Sequence, residues 1–180
     1  MKDYPIEIVE YNPDWPGLFV LERDHILAAC GGSIQQIEHI GSTAVPGLPA
    51  KPIIDILAGV DSLSTADRLV PMIKSIGYEY VSIFETDLPE RRYFVKEGEQ
   101  ADLVHIHMVV VGTDFWRRHI LFRDYLRSHA DIRDEYGRLK RSLAERYRDN
   151  RSDYTDAKTD FIIKVQDLAG FTPTLVPSQS

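Results

Sequence analysis

Residues 53–57 read Ile-Ile-Asp-Ile-Leu, a continuous apolar run with one carboxylate at its centre, Asp55. A short apolar run bounded by Pro52 and the Gly59 region reads as a strand buried on both faces. A charge in such a strand is costly unless a metal, a cation or a set of hydrogen-bond donors meets it. The preceding apolar stretch, with Ile37 and Ile40, ends in Gly41-Ser42, a turn whose backbone N–H groups suit a phosphate. A phosphate-holding turn followed by a buried carboxylate is the layout of a nucleotide site, and the rest of the chain has to fold around it.

The chain's 180 residues are enough for one domain with a proper core, expected over residues 1–171 with a flexible tail over 172–180. A net charge of −7 argues against extended nucleic-acid binding, which needs a basic face, although a small basic pocket remains compatible with it. The single cysteine, Cys30, falls among apolar helical positions and reads as buried packing in a reducing compartment. No apolar run approaches membrane-spanning length and the N-terminus has no signal-like core, so the expected location is the cytoplasm, without a membrane partner.

Periodicity divides the chain in two. The first part predicts a helix over 14–30, a strand over 33–40, the buried strand over 52–60 and a helix over 61–76 closed by Gly77. Strands over 78–84, 92–96 and 103–111 follow. The second part predicts helices over 115–129, 132–148 and 154–169, with Asp114, Asp131, and Ser152 or Asp153 as their N-caps. The expected class is α+β, an α/β two-layer arrangement: a mixed sheet of about five strands, flanking helices and a C-terminal helical cluster.

Several stretches carry a family resemblance: Tyr11-Asn12-Pro13-Asp14-Trp15-Pro16, His39-Ile40-Gly41-Ser42-Thr43-Ala44-Val45-Pro46-Gly47-Leu48, Lys51-Pro52-Ile53-Ile54-Asp55, His107, Phe122-Arg123-Asp124-Tyr125-Leu126-Arg127, Tyr154 and Lys158. In these the chain resembles the GrpB family, whose fold is that of the nucleotidyltransferase superfamily. The resemblance implies a Gly-Ser turn holding phosphates, here Gly41 and Ser42, and a strand carboxylate holding a divalent metal, Mg²⁺ or Mn²⁺, here Asp55. In the superfamily a second carboxylate stands two positions on, on the same strand face. This chain has Leu57 there, which leaves the metal set incomplete unless other groups complete it. His107, of the His105-Ile106-His107 strand, is the candidate second metal ligand, if that strand lies beside the Asp55 strand. The alternative makes one of the two histidines exposed and the other a hydrogen-bonded core residue.

The other candidates each have two readings. His39 contacts phosphate or moves a proton, or else orients the loop through a backbone hydrogen bond. The loop 43–52, with three prolines and one glycine, is largely fixed in shape before a ligand arrives. Lys51 on it binds phosphate, or pairs with Asp55 or Glu38. Ser42 and Thr43 bind phosphate or cap the turn. Arg92, ahead of the aromatic pair Tyr93-Phe94, Arg123 among apolar neighbours, Lys140 and Lys158 either converge on an anion or form ordinary salt bridges. Three functions remain open from sequence. One is metal-dependent transfer of a nucleoside monophosphate, with Asp55 and His107 catalytic. The second is a non-catalytic module for a nucleotide or a coenzyme-A-like, phosphorylated small molecule. The third, purely structural, needs Lys51 alone to satisfy Asp55.

Overall fold

The computed structural model describes residues 5–97 and 103–174. Helix α1 spans Trp15–Cys30 and is followed by strands β1 (Gln36–Ile40) and β2 (Ile53–Val60). Helix α2 (Leu63–Ser75) leads to β3 (Glu79–Tyr80), β4 (Arg91–Glu97) and β5 (Leu103–Val110). Four helices end the chain: α3 (Asp114–Ser128), α4 (Ala130–Arg146), α5 (Arg151–Asp156) and α6 (Thr159–Leu168). The strands form one five-stranded mixed sheet in the order β1-β2-β5-β4-β3, in which only β2 and β5 run parallel. This is the α+β class expected from the patterning.

Alternation along β2 sends successive side chains to opposite faces of the sheet. Ile54, Ile56, Ala58 and Val60 face α1 and α2, where they pack with Trp15, Ile26, Ala66, Leu69 and Ile73. Full burial of each such isoleucine or leucine is worth about 1.5–3 kcal/mol. On the opposite face Leu57 and Val109 pack with Phe115 and Trp116 of α3. Helix α3 comes this close because residue 59 is glycine: a Cβ there would lie 2.5 Å from the Val111 side chain and 2.7 Å from the Trp116 ring.

The loop between β1 and β2 is held by the C-terminal helices rather than by the sheet. Val45 and Leu48 are buried with Leu126, Tyr136 and Val165. Three basic side chains donate to its carbonyls: Arg127 Nε to Ala44 (2.9 Å), Arg133 to Pro46 (3.3 Å) and Lys140 to Pro49. Gly137 permits the approach, since a Cβ at that position would stand 3.1 Å from Pro49 Cδ. A fixed loop and the helical cluster thus form one unit over the second face of the sheet.

Five local expectations need correction. The strand expected over 78–84 shrinks to Glu79–Tyr80, because Ser82–Glu85 turns into a 3-10 helix. The cap of α3 is Thr113, whose hydroxyl accepts from Trp116 N–H; Asp114 instead holds Thr174 through its backbone N–H (2.7 Å) and hydroxyl (2.8 Å). Helix α4 starts at Ala130, with His129 rather than Asp131 at the cap position. The single helix expected over 154–169 is two, α5 capped by Asn150 and α6 beginning after Lys158. Of the expected tail, Thr172 and Thr174 are tied to α3, the former by its carbonyl accepting from Arg117; residues 175–180 lie outside the described residues. Cys30 is buried as expected, and burial pushes its thiol up to about 11.

Candidate functional site

Pairing of β2 with β5 sets Asp55 opposite His105 and Leu57 opposite His107, while β4 sets Tyr93 opposite His107. Period-two geometry then puts Asp55, His105, His107 and Tyr93 on the face covered by α3–α6. Between this face and those helices lies a cavity of about 380 Å³, in the size range of small-molecule sites. Gly41, Ser42 and Lys51 of the loop line it, and so do His119, Phe122, Tyr136, Lys140, Arg151, Tyr154 and Lys158 of the helices.

Two imidazoles meet one oxygen of the buried carboxylate. His105 Nδ1 is 3.3 Å and His107 Nε2 is 3.6 Å from Asp55 Oδ1, and the carboxylate keeps about a quarter of its side-chain surface open. Burial alone would raise the Asp55 pKa; donation from His105 and His107, and their charge, carry it well below the usual carboxylate range. The other oxygen, Oδ2, packs on Gly41, where a Cβ would come within 2.4 Å of it. Gly41 also has φ +71°, so both the backbone and the carboxylate require glycine there.

Hydrogen-bond partners fix the ring protons. Arg91 approaches His107 Nδ1 at 3.3 Å, and an arginine only donates, so Nδ1 is the acceptor and the His107 proton sits on Nε2, facing Asp55. Burial lowers the His107 pKa, consistent with a neutral ring. His105 directs Nδ1–H to the carboxylate, leaving its buried Nε2 without a partner among the described residues. His119 Nδ1 donates to the Phe115 carbonyl (2.6 Å), so its Nε2 carries a free lone pair; burial brings its pKa down to about 3.

Around this cluster the helices and loop place four cations. Lys51 Nζ lies 5.3 Å and Lys158 Nζ 4.2 Å from the centroid of one ring, Tyr154. Lys140 donates to Ser42 Oγ (2.8 Å) and the Pro49 carbonyl. Arg151 stands at the first turn of α5. Among the described residues none of the four has a carboxylate within salt-bridge distance. Burial lowers Lys51 and Lys158 to about 8 each, aided by Arg151 near Lys51 and by Lys51 near Lys158, and it takes Lys140 well below the normal lysine value. In a chain of net charge −7 this is a local concentration of positive charge.

The structure brings Asp55, His107, Gly41, Ser42, Thr43, Lys51, Lys140 and Lys158 to the cavity and leaves three expected site residues out of its lining. Arg92 points to the opposite face, where it pairs with Asp67 (2.5 Å) and Glu85, because parity on β4 turns Tyr93 and Arg91 toward the site and Arg92 away. Arg123 is spent on Glu38 (2.6 Å), Asp124 (2.7 Å) and the His39 carbonyl, where it ties α3 to β1. His39 stacks on Phe19 and donates through Nε2 to Thr43 Oγ1 (3.0 Å), whose own proton goes to the Ile53 carbonyl (2.8 Å). Desolvation lowers its pKa to about 4, so it is a neutral strut between strand and loop. Sequence reasoning missed His119 and Arg151, which sit on helices whose docking face no local pattern reveals.

The residues present do not fit a resident divalent cation. Leu57, fully buried against Phe115 and Trp116, closes the second carboxylate position. No group of three His, Cys, Asp or Glu suited to a metal occurs among the described residues. Both imidazoles direct N–H groups at Asp55, and Arg91 occupies the remaining nitrogen of His107.

Fold and site together define an α+β protein whose sheet is covered by helices on both faces, three layers rather than the expected two, with a basic cavity over one sheet face. The chain belongs to the GrpB family: the family model, described as GrpB protein, matches residues 5–167. A UPF0157 protein of Halalkalibacterium halodurans is 39% identical over 167 residues, covering 93% of this chain and 84% of the relative. The crystal structure of conserved protein GrpB from Enterococcus faecalis superposes with a TM-score of 0.81 at 37% identity, over 91% of this chain and 96% of that one. A dephospho-CoA kinase of Mycolicibacterium paratuberculosis is 30% identical over 164 residues, 79% of this chain but only 40% of the kinase.

Proposed function

We propose that this protein binds a phosphorylated small molecule of the nucleotide class in the cavity. The observation that carries this reading is the convergence of Lys51, Lys140, Lys158 and Arg151 on one cavity with no carboxylate paired to any of them among the described residues. Desolvated ammonium groups without counter-ions are unfavourable, and an anionic ligand supplies the missing charge. Phosphates sit between Lys51, Lys158 and Arg151, near the Gly41-Ser42 turn. The walls from Phe122, Tyr136, Tyr154 and Ile162 take the apolar or aromatic body of the ligand. The match to part of a dephospho-CoA kinase adds coenzyme-A-like nucleotides to the candidates.

A second reading, group transfer to a hydroxyl as in the nucleotidyltransferase superfamily, draws on one further feature. The ionised Asp55 and the free Nε2 of His119 face the same cavity, and either accepts a hydrogen bond that would orient a ligand hydroxyl. Calorimetric titration with ATP, GTP, CTP, UTP and dephospho-CoA separates these readings. Binding of at least one nucleotide that Lys158→Met weakens about tenfold supports the ligand site. Release of pyrophosphate or a transferred group in the presence of candidate acceptors adds the transfer reading, and silence across the panel removes both.

A further inference from the structure

We propose that the cavity takes its phosphate ester free of divalent cation, with the ammonium groups of Lys51 and Lys158 and the guanidinium of Arg151 neutralising the charge that a metal-dependent site gives to magnesium. This inference rests on the phosphate reading above and specifies how that ligand is held.

The one available carboxylate is crowded on both sides. The imidazole nitrogens of His105 and His107 stand 3.3 and 3.6 Å from Oδ1, and Oδ2 lies against Gly41 so closely that a single added carbon would stand 2.4 Å away. Ligation by either histidine would mean losing the proton it directs at Asp55. The alternative nitrogen of His107 faces Arg91, and that of His105 is sealed in the sheet. Hard divalent cations need several oxygen ligands, and this site offers one carboxylate.

The charges in the cavity point the same way. Lys51 and Lys158 face one Tyr154 ring, held there by cation–π contact rather than by an acid. Asp55 is close enough to act electrostatically on both, but it is one negative charge beside Lys51, Lys158 and Arg151. A dication placed there would be repelled by its neighbours, whereas a phosphate would relieve their mutual repulsion. In this arrangement Asp55 keeps the two histidines oriented and offers an acceptor edge to the ligand.

The test is calorimetry of the full chain with ATP in EDTA and again in excess MgCl₂, together with Mn²⁺ titration of the ligand-free protein followed by electron paramagnetic resonance. The expected result is a Kd in EDTA equal to or lower than that in Mg²⁺, since the metal competes for the ligand's phosphates, and no stoichiometric Mn²⁺ site. Lys51→Met and Lys158→Met, each checked for an unchanged melting temperature, should weaken binding about tenfold. An affinity lost in EDTA and restored by Mg²⁺, or a stoichiometric Mn²⁺ site abolished by Asp55→Asn, overturns the inference while leaving the ligand reading intact. No binding of ATP or pyrophosphate in either buffer overturns the ligand reading and the inference together.

Discussion

The two faces of the sheet are built from alternate residues of the same strands, yet they obey different rules. Under α1 and α2 the face is apolar through its centre, and its buried charges pair within the protein: Glu22 meets Lys96 and also accepts from the Tyr78 hydroxyl, and Arg92 meets Asp67. Under α3–α6 the same strands present Asp55, His105, His107 and Tyr93, and the covering helices and loop add cations with no carboxylate at salt-bridge distance among the described residues. One face is satisfied by the protein alone. The other is left incomplete in charge, which is the feature on which the proposed ligand site rests.

This contrast can be broken by substitution. Ile56→Ala, on the apolar face, should cost about 2–5 kcal/mol in urea denaturation, whereas Asp55→Asn, one residue away on the other face, should cost about 1–2 kcal/mol because an acceptor oxygen remains. Equal losses would mean that Asp55 is a structural residue. Acid should act through the strut between β1 and the loop. The pKa of His39, about 4, lies below its ordinary value of 6.5, so the unfolded chain binds the extra proton first. Its contribution to stability is therefore full above pH 6.5 and lost as pH falls toward 4, by at most about 3 kcal/mol. His39→Gln should flatten that part of the stability profile, as thermal denaturation across this range would reveal.

Gly59→Ala sharpens the comparison at the seat of α3. Its methyl group would meet Val111 and Trp116, with an expected loss of about 1–3 kcal/mol by chemical denaturation, larger than for a glycine with open space such as Gly17. The smallest stability effect is expected for Arg92→Met, about 0–1 kcal/mol, with unchanged nucleotide affinity by calorimetry. Lysine protonation should set the pH range of the site: nucleotide affinity should fall as pH rises through about 8, where Lys51 and Lys158 lose their charge, and binding at pH 8 should take up protons.

Much of the frame was legible from local pattern. Asp55 in its apolar strand, the Gly41-Ser42 turn, the fixed loop and the His107 strand all appear where periodicity put them, because strand burial and turn chemistry are encoded within a few residues. Less visible was the division of labour among basic residues. Arg92 and Arg91 differ by one position, and only the pairing of β4 with His107 decides which faces the site. Arg123 reads as an anion ligand in sequence but serves Glu38, 85 residues away, while Arg127 and Arg133 donate to loop carbonyls 83 and 87 residues away. The break between α5 and α6 falls at Ala157-Lys158, without glycine or proline, so the pattern reads straight through it. That break helps to put Lys158 over Tyr154, a placement that helix packing decides rather than propensity.

The most direct test of the account is calorimetric titration of pyrophosphate into the Lys51→Met, Lys158→Met double variant, with Arg92→Met as the control. Loss of measurable binding in the double variant, with the control indistinguishable from the unsubstituted protein, is the predicted result. Binding that survives the loss of both lysines, or that falls with Arg92, would contradict an anion site in this cavity.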